Sequence, residues 1–183
     1  MKILYFHTGR SSFVDKDVKI LQEVASVSVF SFTADKKWKT VLLFLRQSIF
    51  LLRHVFSFDL IVSQFAGYHS FLPTLFSKTL GKKSLIIAGG TDCVSYPTIG
   101  YGNFYKPLLG LFTRWSYALC DHISPKHDTL RFCQYGYDQA SPSQQGVLAF
   151  MPGLKRPFTS IPNGYDTEFW KSTGAIRMKN SFI

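Results

Sequence analysis

Short apolar runs separated by longer stretches of helical spacing set the strongest limit on how this chain folds. The runs are Lys2 to Phe6, Val27 to Phe32, Asp59 to Phe65, Ser84 to Ala88, His122 to Ser124 and Phe158 to Ile161. Between the first two, Phe13, Val14, Val18, Leu21 and Val24 recur at helical intervals. Further helical patterns cover about 38–56, 68–80, 103–119 and 126–135, and Gly81-Lys82-Lys83 reads as a helix stop. Continuous apolar strands alternating with helices are those of a parallel sheet covered on both sides. The expected fold is therefore α/β, a Rossmann-like, doubly wound, mostly parallel sheet of about six strands with helices on both faces. Residues 139–157, with Ser141-Pro142-Ser143 and Met151-Pro152-Gly153, read as an exposed loop.

A chain of 183 residues with 46% hydrophobic content has enough apolar matter for one core. The net charge of +10 favours anionic partners: nucleic acid, phosphorylated small molecules or an acidic membrane. No nucleic-acid recognition motif or arginine-aromatic strand pair is present, so nucleic acid is not expected as a partner. Cys93, Cys120 and Cys133 are odd in number and lack Cys-x-x-Cys spacing. They read as free thiols in a reducing compartment, with no zinc or other metal site and no bound cofactor expected. The apolar run at Met1 to His7 is too short for a signal peptide, which makes a cytoplasmic location the expectation.

In an open parallel sheet, ligands bind beyond the carboxyl ends of the strands. Four loops there carry suggestive residues. In His7-Thr8-Gly9-Arg10-Ser11-Ser12, Gly9 allows close approach, Arg10 brings a charge for phosphate, and Ser11 opens a helix. The plainer reading of this loop is a turn with a helix cap. It lacks Gly-x-Gly-x-x-Gly, which argues against a dinucleotide dehydrogenase. In Gln64-Phe65-Ala66-Gly67-Tyr68-His69, Gln64 and Tyr68 can hydrogen-bond sugar hydroxyls and Tyr68 can stack on a ring. His69 reads first as a capping or solvated residue. In Gly89-Gly90-Thr91-Asp92, the paired glycines open room near the backbone, and Asp92, the candidate catalytic residue, either binds an acceptor or caps the following turn. Lys126, in Ser124-Pro125-Lys126-His127-Asp128, sits at an expected helix start and either meets a phosphate or is a surface lysine.

The last run ends in Ser160-Ile161-Pro162-Asn163-Gly164-Tyr165-Asp166, a chemically specified turn: Pro162 ends ladder pairing, Asn163 and Gly164 tolerate positive φ, and Asp166 can cap a helix. This element resembles the Pro-Asn-Gly-Val-Asp hinge that closes the N-terminal domain of family 4 (group 1) glycosyltransferases of GT-B fold, with Tyr165 where a small aliphatic residue is usual. The resemblance extends over the whole chain by strand order. The loop at Gly9 takes the place of the family's glycine-containing loop. Gly89-Gly90-Thr91-Asp92 resembles a His-Gly-x-Asp segment with Gly89 in place of the histidine, and Cys120-Asp121 to Ser124 resembles an Ala-Asp-x-x-x-x-Ser segment.

The resemblance implies a retaining transferase that moves a sugar from a nucleotide-diphosphate donor to a glycan or lipid-linked acceptor in cell-surface polysaccharide or glycolipid synthesis. Residues 1–170 would be the acceptor-side domain, and 171–183 the start of a linker to a C-terminal domain cut off here. In that family the nucleotide sugar, paired glutamates and basic diphosphate ligands belong to the C-terminal domain, so this chain alone is expected to be inactive. The alternative is a non-catalytic Rossmann-like domain that binds a phosphorylated or glycosylated ligand.

The stretch from Lys36 to Phe56 is unusual. Lys39, Arg46 and Arg53 recur every seven residues beside Thr40, Gln47 and His54, forming one polar stripe in a Leu- and Phe-rich helix. Arg46 in the middle argues against a membrane span. The plainer reading packs this helix on the sheet with its polar stripe in water. The sharper one lays it, with Lys36-Lys37-Trp38-Lys39, on an anionic membrane, peripherally at the inner face.

Overall fold

In the computed structural model, which describes residues 1–33, 38–54, 56–136 and 138–164, the first five apolar runs are parallel strands. They are β1 (Lys2–His7), β2 (Ser26–Ser31), β3 (Leu60–Gln64), β4 (Lys83–Ala88) and β5 (His122–Pro125), in the order β2-β1-β3-β4-β5. Ile3 lies opposite Val27 on one side and Leu60 on the other, which fixes the register of the central pairs. The sixth run joins as a parallel bridge from Phe158 to Ile123 at the β5 edge. It is held there by Ile123 N–H to Pro157 C=O (3.0 Å), Thr159 N–H to Ile123 C=O (3.1 Å) and Ile161 N–H to Pro125 C=O (2.9 Å). Pro157 and Pro162, which have no N–H, bound this pairing.

The helices are α1 (Ser12–Gln22), α2 (Lys39–His54), α3 (Tyr68–Thr79), α4 (Pro107–Leu119) and the short α5 (Val147–Phe150). Successive strand residues point to opposite faces, so two cores form. On one face, α1 lays Val14, Val18 and Leu21 over Ile3, Tyr5, Val62 and Ile87. On the other, α2 and α3 cover Leu4, Phe6 and Ile61, and α4 brings Tyr117 over Ile86 and Ile123. Phe6 meets Phe30 at 5.8 Å and the edge of Phe50 at 5.9 Å. A fully buried ring of this kind stabilises the fold by about 1.5–3 kcal/mol.

The stop after α3 is as expected, with Gly81 at φ +64°, the left-handed conformation that ends a helix without a Cβ penalty. Helix α4 starts at Pro107, later than the expected 103, because proline suits the first helical position and its ring disfavours helix in the residue before it. α3 and α4 approach closely through small residues, with the Ser70 and Ser116 hydroxyls 2.8 Å apart.

Three readings of the sequence need correction. Residues 126–135 form no α-helix. They make a 3₁₀ turn at Asp128–Leu130 and the strand β6 (Cys133–Gln134), which pairs antiparallel with β7 (Gln144–Gln145). The Arg131 carbonyl accepts from Leu148 N–H (2.9 Å), so a tertiary contact takes a group that a helix would have used internally. Residues 139–157 are correspondingly not a surface loop throughout. Gln145 is fully buried and brackets Ser95, accepting from its N–H (2.9 Å) and donating to its carbonyl (3.0 Å).

The third correction concerns α2. Its polar stripe does not lie wholly in water: Gln47 is fully buried and donates from Nε2 to the His69 carbonyl at 2.6 Å. The reason lies in α3. Four residues after His69 comes Pro73, inside the helix, which has no N–H to return to that carbonyl. Gln47 supplies the missing donor.

Candidate functional site

The carboxyl ends of the strands form a crest, and β1 and β3 flank the point where the strand order reverses. His7 ends β1 there, buried at 5% exposure, and its Nδ1 has no partner. Burial holds its imidazole below the ordinary histidine pKa, which favours the neutral ring at pH 7. Ser11 precedes α1 in extended conformation with its hydroxyl making no cap bond. The first-turn N–H groups of α1 are thus not capped by that side chain. A Cβ on Gly9 would meet nothing within 4 Å. Arg10 is exposed and its Nε contacts Asp15 at 3.0 Å.

The exit from β3 is the most constrained backbone of the crest. Phe65 has φ +66°, the one non-glycine residue at positive φ among the described residues, a conformation costing about 1–3 kcal/mol. Its neighbours hold it there. Phe65 N–H donates to the Ile87 carbonyl (2.9 Å), Ala66 N–H donates to Asp92 (2.8 Å), and the Ala66 carbonyl accepts from Asn103 Nδ2 (2.8 Å). The Phe65 ring meets the Phe13 edge at 5.9 Å on the α1 side. On the β4 side it lies against Gly89, where a Cβ would fall 1.7 Å from the ring. The absence of a side chain at residue 89 therefore has a local cause: Phe65 fills the space.

Asp92 lies in a 3₁₀ turn (Thr91–Cys93) and is fully buried. Its carboxylate accepts from Ala66 N–H (2.8 Å), Gly89 and Gly90 N–H (3.1 Å each) and the Tyr117 hydroxyl (2.6 Å). Of the two roles open to it in sequence, this geometry is that of a loop cap: it ties the β3 and β4 exits to α4. Burial and the Asp92 charge push the Tyr117 phenol far above its usual range, so that O–H remains a donor.

The remaining residues divide. Gly90 sits at φ +131° with open space beside it, and the exposed Thr91 hydroxyl meets Tyr101 at 2.9 Å. Gln64 is buried and accepts from the Tyr5 hydroxyl (3.0 Å). Tyr68 points into the helix layer, against Phe112 (5.0 Å) and Phe44 (6.4 Å). His69 is not a solvated cap: it is buried, donates from Nε2 to the Gln64 carbonyl (2.6 Å), and burial lowers its pKa to about 4. Lys126 stands at no helix start, because residues 126–135 form none. Its ammonium reaches across to Asp17 of α1 at 3.4 Å in a largely buried pair.

The four loops are nonetheless contiguous. Phe13 touches Phe65, Phe65 covers Gly89, and Lys126 N–H donates to the Ala88 carbonyl (3.0 Å). The chain 157–161 then runs up beside β5 and delivers exposed Pro162, Asn163 and Gly164 to the same crest. Asp166, the rest of the hinge from Tyr165, residues 171–183 and the Lys36-Lys37 pair lie outside the described residues.

His7, Phe13, Phe65 and Asn103 are crest residues that the sequence did not single out. Nothing in a sequence marks a phenylalanine for positive φ; the Gly89-Gly90 pair was the one available hint. Among the described residues no group of three or more His, Cys, Asp or Glu is placed to hold a metal. No family model matches the chain, and no curated protein matches it. Fold and crest define a class, a doubly wound α/β domain whose exit loops meet at the carboxyl ends of the strands.

Proposed function

We propose that this domain is the acceptor-binding half of a retaining glycosyltransferase of GT-B type. It presents a glycan or lipid-linked acceptor at the crest to a donor sugar carried by a second lobe, at a cytoplasmic membrane surface. The observation that carries the reading is the joint arrival of the Pro162-Asn163-Gly164 turn and the β1, β3 and β4 exit loops at one crest. A hinge there sets a second lobe directly over the bound acceptor.

The chemistry of the crest suits binding. Phe13 and Phe65 offer apolar rings for a sugar face, while the first turn of α1, with Arg10, offers donors to an anionic group. The buried Asp92 carboxylate has its oxygens engaged and is not available as a base. The lobe therefore binds, and stabilisation of a leaving diphosphate falls to the other lobe. Asp92 engagement equally favours the second reading, a non-catalytic binding domain for a phosphorylated or glycosylated ligand.

Titration calorimetry of the chain with glucose 1-phosphate, N-acetylglucosamine 1-phosphate, UDP-glucose and GDP-mannose tests the division of labour. Measurable heat with the glycosyl phosphates and none with the nucleotide sugars is expected. Tight binding of either nucleotide sugar would overturn it.

A further inference from the structure

Every exposed residue of α2 is either aliphatic or arginine: Val41, Leu42, Leu45, Ile49 and Leu52, with Arg46 and Arg53 among them. Val41 is 71% exposed and Leu45 60%, and Leu42, Leu45 and Ile49 form one wall of an open groove whose other wall is Val29 and Phe30 of β2. The inward turn of Gln47 explains the inversion, since the polar group repairs α3 and the aliphatic ones are left outside. A second apolar stripe, Leu108, Leu111 and Trp115, is exposed on α4. The Phe44–Phe112 contact at 5.7 Å joins the two helices.

The helices on this side of the sheet carry charge of one sign. Helices α2, α3 and α4 carry Lys39, Arg46, Arg53, Lys78 and Arg114 and not one Asp or Glu. On the opposite face, α1 balances Asp15 and Asp17 against Lys16 and Lys19. No helix among the described residues is long and apolar enough to cross a membrane.

We propose that the α2–α4 face docks flat on an anionic lipid bilayer, with the aliphatic stripe of α2 and the Leu108–Trp115 stripe in the headgroup boundary and Arg46 and Arg53 on lipid phosphates. Aliphatic side chains flanked by arginines, with no carboxylate, match an anionic interface. A protein partner would ordinarily find hydrogen-bonding side chains in such a patch, and α2 exposes none but the arginines. The crest then lies at the end of the docked face, within reach of a headgroup in the same bilayer. This inference deepens the membrane-surface part of the proposed function, yet its evidence involves no sugar.

The test is co-sedimentation of the purified chain with phosphatidylcholine vesicles, with and without phosphatidylglycerol, at low salt. The chain is expected to pellet only with the anionic vesicles and to be released as salt rises. Arg46→Ala with Arg53→Ala is expected to weaken binding about 25-fold, from roughly fivefold per arginine, and Leu45→Asp to abolish it. Lys16→Ala with Lys19→Ala, on α1, is expected to leave binding unchanged. Circular dichroism checks that each variant is folded, and Leu45→Gln serves if Leu45→Asp is not. Failure to pellet, equal loss in the α1 variant, or a dimer in sedimentation velocity that Leu45→Asp dissolves would each overturn the proposal. Vesicle binding without glycosyl phosphate binding would remove the acceptor reading alone, and the reverse would remove this one alone.

Discussion

The crest and the α2 face treat polarity in opposite ways. At the crest, one buried carboxylate accepts from three backbone N–H groups and a tyrosine hydroxyl and locks two loops to a helix. On α2, one buried amide serves a single carbonyl that Pro73 leaves without its helical donor, and the surface beyond it is aliphatic. The first arrangement fixes loops; the second repairs a helix and, as a by-product, leaves an apolar face outward. A buried polar residue thus has to be read from what it satisfies.

The contrast can be broken experimentally. Asp92→Ala leaves the buried Ala66 N–H and Tyr117 hydroxyl without an acceptor, at about 1–3 kcal/mol each, and frees the part-buried Gly89 and Gly90 N–H groups, so a loss of roughly 3 kcal/mol or more is expected in urea unfolding. Tyr117→Phe, which removes one hydroxyl from the same carboxylate, should cost less than half of that. A small effect of Asp92→Ala would remove its role in holding the loops.

His69 is neutral in the folded chain because burial lowers its pKa to about 4, against 6.5 in the unfolded chain. The unfolded state takes up the proton first, so stability is full above about pH 6.5 and is lost as pH falls towards 4. The loss should be on the order of 3 kcal/mol, and His7, shifted in the same direction, adds to it. Denaturation curves across this range for the chain and for His69→Gln should diverge at low pH; parallel curves would contradict the assignment.

Gln47→Leu should cost about 1–3 kcal/mol by orphaning the His69 carbonyl. In a Pro73→Ala background, where a helical N–H becomes available to that carbonyl, the cost should shrink. Equal costs in the two backgrounds would show that Gln47 does not compensate for the proline. Gly89→Ala should cost a similar amount, about 1–3 kcal/mol, through collision with the Phe65 ring, and Phe65→Ala should restore most of it.

Much of the fold could be read from the order of residues. Four apolar runs became strands buried on both faces, the alternating run at Ser26–Ser31 became the half-exposed edge strand β2, and the Pro-bounded sixth run lies beside β5 as a bridge. The positions of the exit loops followed from that topology. The roles of residues within them did not: Tyr68, Gln64 and Lys126 have the chemistry of ligands but are engaged by Phe112, Tyr5 and Asp17, partners 44, 59 and 109 residues away in sequence. The helical spacing of 126–135 lost to pairing with β7 and contact with α5 for the same reason, a distant segment with a better use for its backbone. The outward aliphatics of α2 were visible as a pattern, but their direction was set by Pro73 on another helix.

The central claim is that the crest binds a sugar-bearing ligand. Amide shift mapping on the isotope-labelled chain during titration with N-acetylglucosamine 1-phosphate tests it most directly. The account predicts saturable shifts at Gly9 to Phe13, Phe65 to Gly67 and Gly89 to Thr91, with α2 unmoved. Shifts confined to the groove that Val29 and Phe30 of β2 form with Leu45 and Ile49 of α2, or none at the crest at saturating ligand, would contradict it.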